Sequence, residues 1–226
     1  MDRKILFASH NRGKYDELAK DFKDAGLDLV YYSDVGLAKL ELPEDYEILA
    51  ENAKEKAQTA AKATGYYTLG DDSGVFIESL DWFPGVHSRR WSGSEEDDIG
   101  RNERILRILG DEANRTAYLV SRFSLSDPEG NEVYRTVVKN VFTVSDKIRG
   151  EAGFGYDSIL LPGDAAIKAS SLPEDRKKEL LELHPTVAEL SQDEKNAINN
   201  RGRIALEIKS YFDQQEKIQG LANNSI

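Results

Sequence analysis

The order of elements at the start of the chain constrains its fold more than any other feature of the sequence. An uninterrupted apolar run at residues 5–8 predicts a buried strand, and a polar turn at residues 9–13 follows it. Residues 14–25 carry apolar side chains at helical spacing, and Gly26 predicts where that helix ends. A second apolar run, residues 27–32, predicts another strand. Strand, helix and strand in this order predict an α/β fold in which the first two strands pair in parallel.

The middle of the chain shows the same kinds of pattern. Helices are predicted at residues 48–64, 98–109 and 175–183, and short strands at residues 66–69, 75–77 and 159–161. A polar turn at residues 70–74 separates the first two of these strands. Residues 116–126 and 132–145 are rich in β-branched and aromatic side chains, and the turn between them predicts a long antiparallel hairpin.

The end of the chain predicts one long helix followed by a polar tail. Ser191 and Glu194 have the spacing of a capping box, which opens a helix that we expect to run to about residue 212. Residues 213–226 are polar and are expected to fray. Because no linker interrupts the pattern, we expect one domain over residues 1–226, with a β-rich lobe at about residues 114–147 inserted into it.

The composition excludes several classes of protein. The chain has 226 residues and no cysteine, which rules out a disulfide scaffold, a thiolate zinc site and a cysteine nucleophile. Acidic side chains number 41 against 30 basic ones, an excess that argues against binding to nucleic acid duplexes. No apolar run approaches the ~20 residues of a membrane span, and the apolar stretch near the first residue is too short for a secretion signal. We therefore expect a cytoplasmic protein that binds neither membranes nor nucleic acid.

A cationic loop follows the first predicted strand directly. Residues 9–14 read Ser-His-Asn-Arg-Gly-Lys, and ligands of open parallel sheets collect at the carboxyl ends of the strands. The helix N-terminus at this point favours anions, so Arg12 and Lys14 lie where the helix dipole disfavours cations. A bound polyphosphate would resolve that mismatch. A solvated turn with two incidental cations explains the pattern equally well.

An acidic pair, Asp71 and Asp72, lies before Ser73 and Gly74 at the end of a short apolar run. Adjacent carboxylates repel each other unless a cation or a proton lies between them. Magnesium takes one or two carboxylates together with water and substrate phosphates, and this turn offers such carboxylates. Glu44 is a further candidate ligand, although its spacing alone would place it on the surface. An ordinary acidic turn is the alternative, but the apolar flanks of the pair favour a site.

Two further features suggest a binding pocket. The bend at residues 153–157 combines glycines, which allow close backbone approach, with the ring of Phe154 for stacking on a nucleobase and Asp157 as an acceptor. An aromatic plug at a strand turn is an equal alternative. Arg201 interrupts an apolar stripe of the last helix, and an inward guanidinium needs an anionic partner unless it extends outward. That partner is either a ligand or a core carboxylate. The other members of the stripe are Ile198, Ala205, Ile208 and Phe212.

Together these motifs resemble those of the inosine triphosphate pyrophosphatase family, which hydrolyses non-standard purine nucleoside triphosphates. The resemblance extends from residue 5 to about residue 212, with the motifs in the same order. The matching segments are the loop at residues 9–14, Asp-Asp-Ser-Gly at 71–74, Pro-Gly-Val-His-Ser-Arg-Arg at 84–90, Gly-Phe-Gly-Tyr-Asp at 153–157 and Glu-Lys-Asn-Ala-Ile at 194–198. The resemblance implies an elongated, two-lobed mixed-sheet α/β fold with helices on its faces and a central substrate cleft. It also implies a homodimer.

The resemblance further implies a role for each matching residue. Asp72 would be the general base and, together with Glu44, would bind magnesium. Asn11 and Lys14 would hold the phosphates, and Phe154 would stack on the purine. The other implied substrate contacts are Ser9, Lys56, Ser73, Gly155, Tyr156, Asp157, Lys195, Asn200 and Arg201.

The chain departs from the family pattern at two places. The family's Ser-His-Arg triplet is here Asn199-Asn200-Arg201, so an amide stands where the family has a histidine that contacts the base. An amide both donates and accepts hydrogen bonds, and Asn200 can therefore still bond a 6-oxo group. Residues 162–188 are longer and more charged than the corresponding family segment.

The resemblance therefore implies a magnesium-dependent pyrophosphatase that converts ITP, dITP or XTP to the monophosphate and pyrophosphate and so cleanses the nucleotide pool. A non-catalytic nucleotide-binding protein and a pyrophosphatase for modified pyrimidine nucleotides are the alternatives. The intact acidic pair argues against the first alternative, and the bend at residues 153–157 argues against the second.

Overall fold

The computed structural model describes residues 4–37, 39–93 and 97–223. Within these residues the strands are β1 (Lys4–Ala8), β2 (Asp28–Tyr31), β3 (Tyr67–Ile77), β4 (Pro84–Gly85), β5 (Thr116–Ser126), β6 (Glu132–Val144) and β7 (Leu160–Pro162). The helices are α1 (Arg12–Asp24), α2 (Leu49–Thr64), α3 (Asp98–Leu109), α4 (Asp164–Ala169), α5 (Glu174–Leu183), α6 (Gln192–Ile198) and α7 (Arg203–Asn223). No helix in the described residues is both long enough and apolar enough to span a bilayer.

The strands form a mixed sheet in the order β2-β1-β3-β5-β6-β7, with β4 paired to β3. Strand β1 is parallel to both β2 and β3, whereas the β3–β4 and β6–β7 pairs are antiparallel. Residues 5–8 of β1 are all buried, as a strand with parallel partners on both sides requires. The predicted α/β class and the predicted parallel pairing of the first two strands are confirmed.

The chain divides into two compact units, and each is built from separate stretches of sequence. The first unit contains residues 1–72, 122–136 and 201–226, and the second contains residues 73–121 and 137–200. In the first unit, α1 packs against β2 and α7, and α2 packs against β1. The predictions of a single domain, an elongated shape and a central cleft stay predictions.

The second unit has two apolar cores. The larger one joins residues of β3, α3, β6 and β7, and includes Ile77, Ile105, Val144 and Ile159. The smaller one joins Ile167 of α4 and Leu180 of α5 to Leu190 and to Ile198 of α6. Residues 162–188, which are expected to be longer and more charged than the corresponding family segment, therefore pack in part against α6 through Ile167 and Leu180.

The polar turn predicted at residues 70–74 is wrong, because these residues lie inside the single strand β3. Gly70 and Gly74 allow other backbone segments to pack closely against the strand, and they do not turn the chain. A Cβ atom at Gly70 would lie 2.0 Å from the Ala53 carbonyl oxygen, and one at Gly74 would lie 2.3 Å from the Gly85 carbonyl oxygen. Glycine is common in turns and at close backbone contacts alike, so composition alone indicated the wrong structure.

The single long helix predicted from Ser191 is also wrong. The capping box of Ser191 and Glu194 does open α6, but α6 ends at Ile198 and Asn199 is extended, with φ −85° and ψ 120°. A short 3-10 turn, Asn200–Gly202, then leads into α7. Asparagine is a weak helix former, which fits a break at this point.

The tail does not fray where the prediction placed it. Helix α7 continues to Asn223, and Lys209 Nζ lies 2.7 Å from Asp213 Oδ2 one turn further on. The glutamines, glutamate and lysine that follow Asp213 are good helix formers, and their polarity was mistaken for disorder. Residues 224–226 of the predicted tail lie outside the described residues.

Candidate active site

The loop between β1 and α1 is shaped by its own polar side chains. Asn11 caps α1, since its Oδ1 accepts from the Gly13 N–H at 2.9 Å. Ser9 Oγ accepts from the Asn11 N–H at 3.3 Å, and Ser9 is buried. The first turn of α1 contains no acidic residue, so nothing there neutralises the positive end of the helix dipole. The loop thus has the form expected of an anion site.

Arg12 is held by carboxylates of the protein itself. Its Nη1 lies 2.8 Å from both carboxylate oxygens of Asp34, and its Nε lies 3.2 Å from Asp16 Oδ1. The guanidinium also stacks over Tyr15 and Tyr31, with its Cζ 4.8 and 4.9 Å from the ring centroids. The mismatch that Arg12 makes with the helix dipole is therefore resolved by Asp34, which the local pattern around the loop could not reveal.

Lys14 points to the buried carboxylate of Asp71. Its Nζ lies 3.2 Å from Asp71 Oδ1, and Asp71 has no exposed surface. Burial lowers the pKa of Lys14, and the negative charge of Asp71 opposes that shift. Arg201 donates to the other oxygen of Asp71, and its Nη1 lies 2.8 Å from Glu17 Oε2. Asp71 thus joins Lys14, a predicted phosphate ligand, to Arg201, a predicted substrate contact, in the first unit.

Asp72 lies next to Asp71 but has its own partners, both from α2. Its Oδ2 accepts from Asn52 Nδ2 at 2.9 Å, and its Oδ1 lies 3.2 Å from Lys56 Nζ. Successive side chains of an extended strand diverge, so each carboxylate contacts a different lysine, Asp71 contacting Lys14 and Asp72 contacting Lys56. The charge of Lys14 also acts on Asp72, so cations of the protein itself offset the repulsion between the two carboxylates. Burial raises the pKa of Asp72, and the charge of Lys56 opposes that shift.

Lys56 joins Asp72 to Glu44. The Lys56 side chain is 1% exposed, and its Nζ lies 2.7 Å from Glu44 Oε1. Although burial by itself acts in the opposite direction, the His10 ring, whose Nδ1 lies 3.8 Å from Glu44 Oε1, and the Lys56 charge hold the pKa of Glu44 well below its usual value. Glu44 is therefore no isolated surface residue, and it lies beside the predicted catalytic carboxylate.

The carboxylates of this cluster fit a magnesium ion that is shared with a substrate. Among the described residues, no group of three or more potential ligands is arranged to hold a metal. Mg²⁺ is nevertheless commonly bound by one or two carboxylates, with water and phosphate oxygens as its other ligands. Glu44 and Asp72 are two such carboxylates. Glu44 is also partly exposed, which leaves it accessible to an ion.

The bend at residues 153–157 belongs to the second unit. Asp157 Oδ2 lies 3.1 Å from Lys195 Nζ and accepts from the Phe154 N–H at 3.3 Å. Gly153 has φ +95°, and a Cβ there would lie 2.1 Å from Asp157 Oδ2. The bend therefore requires glycine at this position, and it presents a half-buried Phe154 ring beside an ion pair.

Tyr156 anchors the bend. Its ring is buried, its hydroxyl donates to the Ser88 carbonyl oxygen at 2.6 Å, and Trp91 Nε1 donates to that hydroxyl at 2.9 Å. Burial raises the pKa of Tyr156 to about 12. These contacts assign Tyr156 a structural part in the bend.

Asn200 and Ser73 occupy different surroundings in the second unit. Asn200 is exposed, and its backbone N–H lies 3.5 Å from Asn140 Oδ1. Asn140 also donates to Asn199 Oδ1 at 2.7 Å, which ties the segment before the 3-10 turn to β6. Ser73 Oγ donates to Ser121 Oγ at 3.0 Å.

Sequence reasoning missed the roles of Asp71, Glu17 and Asn52. A signal for Asn52 did exist, because it lies four residues before Lys56 on the stripe of α2 that also carries Leu49 and Ala53. Two polar residues on an otherwise apolar stripe indicate a buried polar contact. The acidic pair singled out Asp71 but did not indicate that it contacts Lys14 and Arg201, and Glu17 carries no comparable signal because its partner Arg201 lies far away in sequence.

The Ham1 family model matches residues 5–211. The chain belongs to the Ham1 family. This confirms the resemblance predicted from the sequence motifs. A dITP/XTP pyrophosphatase of Gluconobacter oxydans is 36% identical to this chain over 204 residues, covering 88% of this chain and 86% of that protein. One of an Exiguobacterium species is 33% identical over 208 residues, covering 92% and 95%.

Two solved structures have the same fold as this chain. A HAM1 protein from Coxiella burnetii superimposes with a TM-score of 0.72 at 28% identity, covering 93% of this chain and 98% of that one. A nucleoside-triphosphatase (dITP/XTP pyrophosphatase) from Mycobacterium abscessus superimposes with a TM-score of 0.63 at 34% identity, covering 91% and 97%.

Proposed function

We propose that this chain hydrolyses the non-standard purine nucleoside triphosphates ITP, dITP and XTP to the monophosphate and pyrophosphate, and so removes them from the nucleotide pool. The observation that carries the proposal is the buried link Asp72–Lys56–Glu44 in a chain of the Ham1 family. The dITP/XTP pyrophosphatases that match nearly the whole chain support the choice of substrate.

The triphosphate is bound by the cationic loop and its partners. The Lys14 ammonium has three N–H donors, so it can bind a phosphate oxygen while it keeps its contact with Asp71. Arg201 adds a second charge, and the N-terminus of α1 adds backbone N–H groups. Asp71 holds both cations in place before substrate arrives, which lowers the entropy cost of binding.

Asp72 accepts the proton of the attacking water. The water oxygen bonds to the α-phosphorus, the bond from that phosphorus to the bridging oxygen breaks, and pyrophosphate leaves with the electron pair. A carboxylate whose pKa is raised by burial is a stronger base than an exposed one, and Asn52 and Lys56 orient it. Magnesium, for which Glu44 and Asp72 are the ligands in this proposal, would neutralise charge that develops on the phosphate oxygens.

The purine is held by the bend at residues 153–157. Phe154 supplies a face for stacking, and Asp157 and Lys195 supply polar contacts at its edge. The homodimer that the family resemblance implies and the cytoplasmic location that the composition predicts are part of the same proposal. Light scattering of the purified protein tests the first of them.

Pyrophosphate release tests the proposed function directly. ITP, dITP and XTP with Mg²⁺ are expected to yield pyrophosphate faster than ATP, GTP or modified pyrimidine triphosphates. Asp72→Asn is expected to lower kcat at least a hundredfold, because the amide cannot accept the proton. Asp146→Asn changes an exposed aspartate and serves as the matched control. Binding of ITP without release by the wild type would indicate a nucleotide-binding protein instead.

A further inference from the structure

Both backbone polar groups of Gly155 are bonded to side chains of α3. The Gly155 N–H donates to Asp98 Oδ2 at 2.6 Å, and its carbonyl oxygen accepts from Asn102 Nδ2 at 2.9 Å. Asp98 and Asn102 are four residues apart, so they lie on the same face of the helix. Gly155 has φ +63°, a left-handed backbone conformation that regular hydrogen bonding does not support. The two side chains therefore supply the bonds that keep this turn of the bend in place.

The two side chains are themselves held in one orientation. Asn102 is 1% exposed and also donates to Ser158 Oγ at 2.9 Å, so its amide nitrogen must point towards the bend. The other oxygen of Asp98 lies 2.5 Å from Arg101 Nη1, and Arg101 is buried. A buried amide with two acceptors and a carboxylate fixed by an arginine have little freedom to move.

We propose that Asp98 and Asn102 are positioning residues for the purine. By fixing Gly155, they set the direction of the Phe154 ring before it and of the Asp157 carboxylate after it. The inference rests on the proposed function, because it assigns Phe154 and Asp157 to the base. The phosphate-binding and proton-accepting residues named above belong to the first unit, and α3 belongs to the second. Loss of the α3 contacts is therefore expected to weaken binding of the base while it leaves the chemistry of the triphosphate unchanged.

A helix-stabilising role for Asp98 is the competing explanation, and its neighbour separates the two. Asp97 caps α3, since its Oδ1 accepts from the Gly100 N–H at 2.8 Å. Asp97→Ala removes a hydrogen bond that stabilises the helix and leaves both contacts to Gly155 in place. Asp98→Ala and Asn102→Ala each remove one contact to Gly155. The Asp98 side chain is 47% exposed, so its alanine variant is expected to fold.

The experiment measures kcat and KM for ITP, and the inhibition constant of tripolyphosphate, a competitor without a base. Asp98→Ala and Asn102→Ala are expected to raise KM for ITP about tenfold, with kcat within about twofold of wild type and the tripolyphosphate constant unchanged. Asp98→Asn keeps an oxygen that accepts from Gly155, and we expect it to restore KM to near the wild-type value. Asp97→Ala is expected to lower the melting temperature without a change in KM.

Equal losses for ITP and tripolyphosphate, or a rise in KM for Asp97→Ala as large as for Asp98→Ala, would overturn the inference. So would variants of Asp98 and Asn102 that keep the wild-type KM. Failure of the proposed function looks different, because the wild-type protein would then release no pyrophosphate from ITP. In that case the inference falls with it.

Discussion

Asp71 and Asp72 are consecutive residues of one strand and bind different cations. Asp71 accepts from Lys14 and Arg201, whereas Asp72 accepts from Lys56. The two side chains leave the strand in different directions, so each carboxylate contacts its own cations. Asp71 neutralises Lys14 and Arg201, whereas Asp72 contacts Asn52 and Lys56 and is the carboxylate that the proposed function uses as the base.

The two carboxylates are expected to respond differently to the same substitution. Asp71→Asn leaves Lys14 and Arg201 beside a buried neutral amide, and we expect it to reduce the free energy of unfolding by about 3 kcal/mol. Asp72→Asn is expected to change it by less than about 1 kcal/mol, because burial already disfavours the charged form of Asp72. Urea unfolding followed by circular dichroism gives both values. Equal losses in the two variants would contradict the division of tasks.

Arg12 and Lys14, the two cations of the loop after β1, are expected to differ in how much their replacement by alanine raises KM for ITP. Arg12 is occupied by Asp16 and Asp34, so Arg12→Ala should leave KM for ITP within about twofold of wild type. Lys14→Ala removes a charge from the proposed phosphate site and should raise KM at least tenfold. Steady-state kinetics on the two variants compares neighbouring cations of one loop. A larger effect for Arg12→Ala would show that the pairing with Asp34 breaks when substrate binds.

Local patterns predicted much of the fold because they depend on residues near each other in sequence. The predicted bounds of α3 and β5 agree with the structure, and the capping box at Ser191 opens α6. The strand through residues 70–74 could not be predicted in this way. What requires glycine at position 70 is the carbonyl of Ala53 in α2, and no pattern in the strand itself records that contact.

The residues of the candidate site that the sequence predicted are those that belong to local patterns. Lys14, Asp72, Phe154 and Arg201 belong to short motifs and could be singled out from those motifs. The residues that hold the site, such as Glu17 beside Arg201 and Asn102 beside Gly155, lie far away in sequence and are polar residues of ordinary helices. Only the folded chain shows that they contact the site.

Asp21 of α1 offers a test of the electrostatics away from the site. Burial, with the charge of Asp24 one turn on, raises the pKa of Asp21, and Lys20 opposes the shift only in part. A carboxyl whose pKa is higher in the folded state binds its proton more tightly there, so stability falls as pH rises from the unfolded pKa through the folded one. Above that window the charge of Asp21 costs stability.

Asp21→Asn should therefore stabilise the protein at pH 7, by less than about 1 kcal/mol since the side chain is partly solvated. The gain should shrink as the pH is lowered towards 4, where the wild-type carboxyl is increasingly protonated. Urea unfolding at pH 7 and pH 4 measures the gain in the free energy of unfolding. Asp28→Asn, which changes an exposed aspartate, is the control. A gain that is the same at both pH values would show that the charge of Asp21 is not its cause.

Asn200 is where base preference is expected to be decided. It is the exposed first residue of the 3-10 turn before α7. Its backbone N–H lies 3.5 Å from Asn140 Oδ1, and Asn140 also donates to the Asn199 side chain. An amide can donate to the 6-oxo group of hypoxanthine or accept from the 6-amino group of adenine by rotating, whereas a protonated histidine can only donate. Asn200→His should therefore raise the ratio of kcat/KM for ITP to that for ATP, by about tenfold for one hydrogen bond.

The rise in the ITP-to-ATP ratio of kcat/KM should grow as the pH falls towards the pKa of a histidine. Only the charged ring lacks an acceptor for the 6-amino group of adenine. Rates for ITP and ATP at pH 6 and pH 8 measure both effects. Asn140→Ala is the matched comparison. It loosens the segment without changing the side chain at position 200, so it should raise KM for both nucleotides alike. If Asn200→His left the ratio unchanged at both pH values, selection of the base would have to reside in the bend at residues 153–157, whose Asp157 and Lys195 would then be the residues to vary.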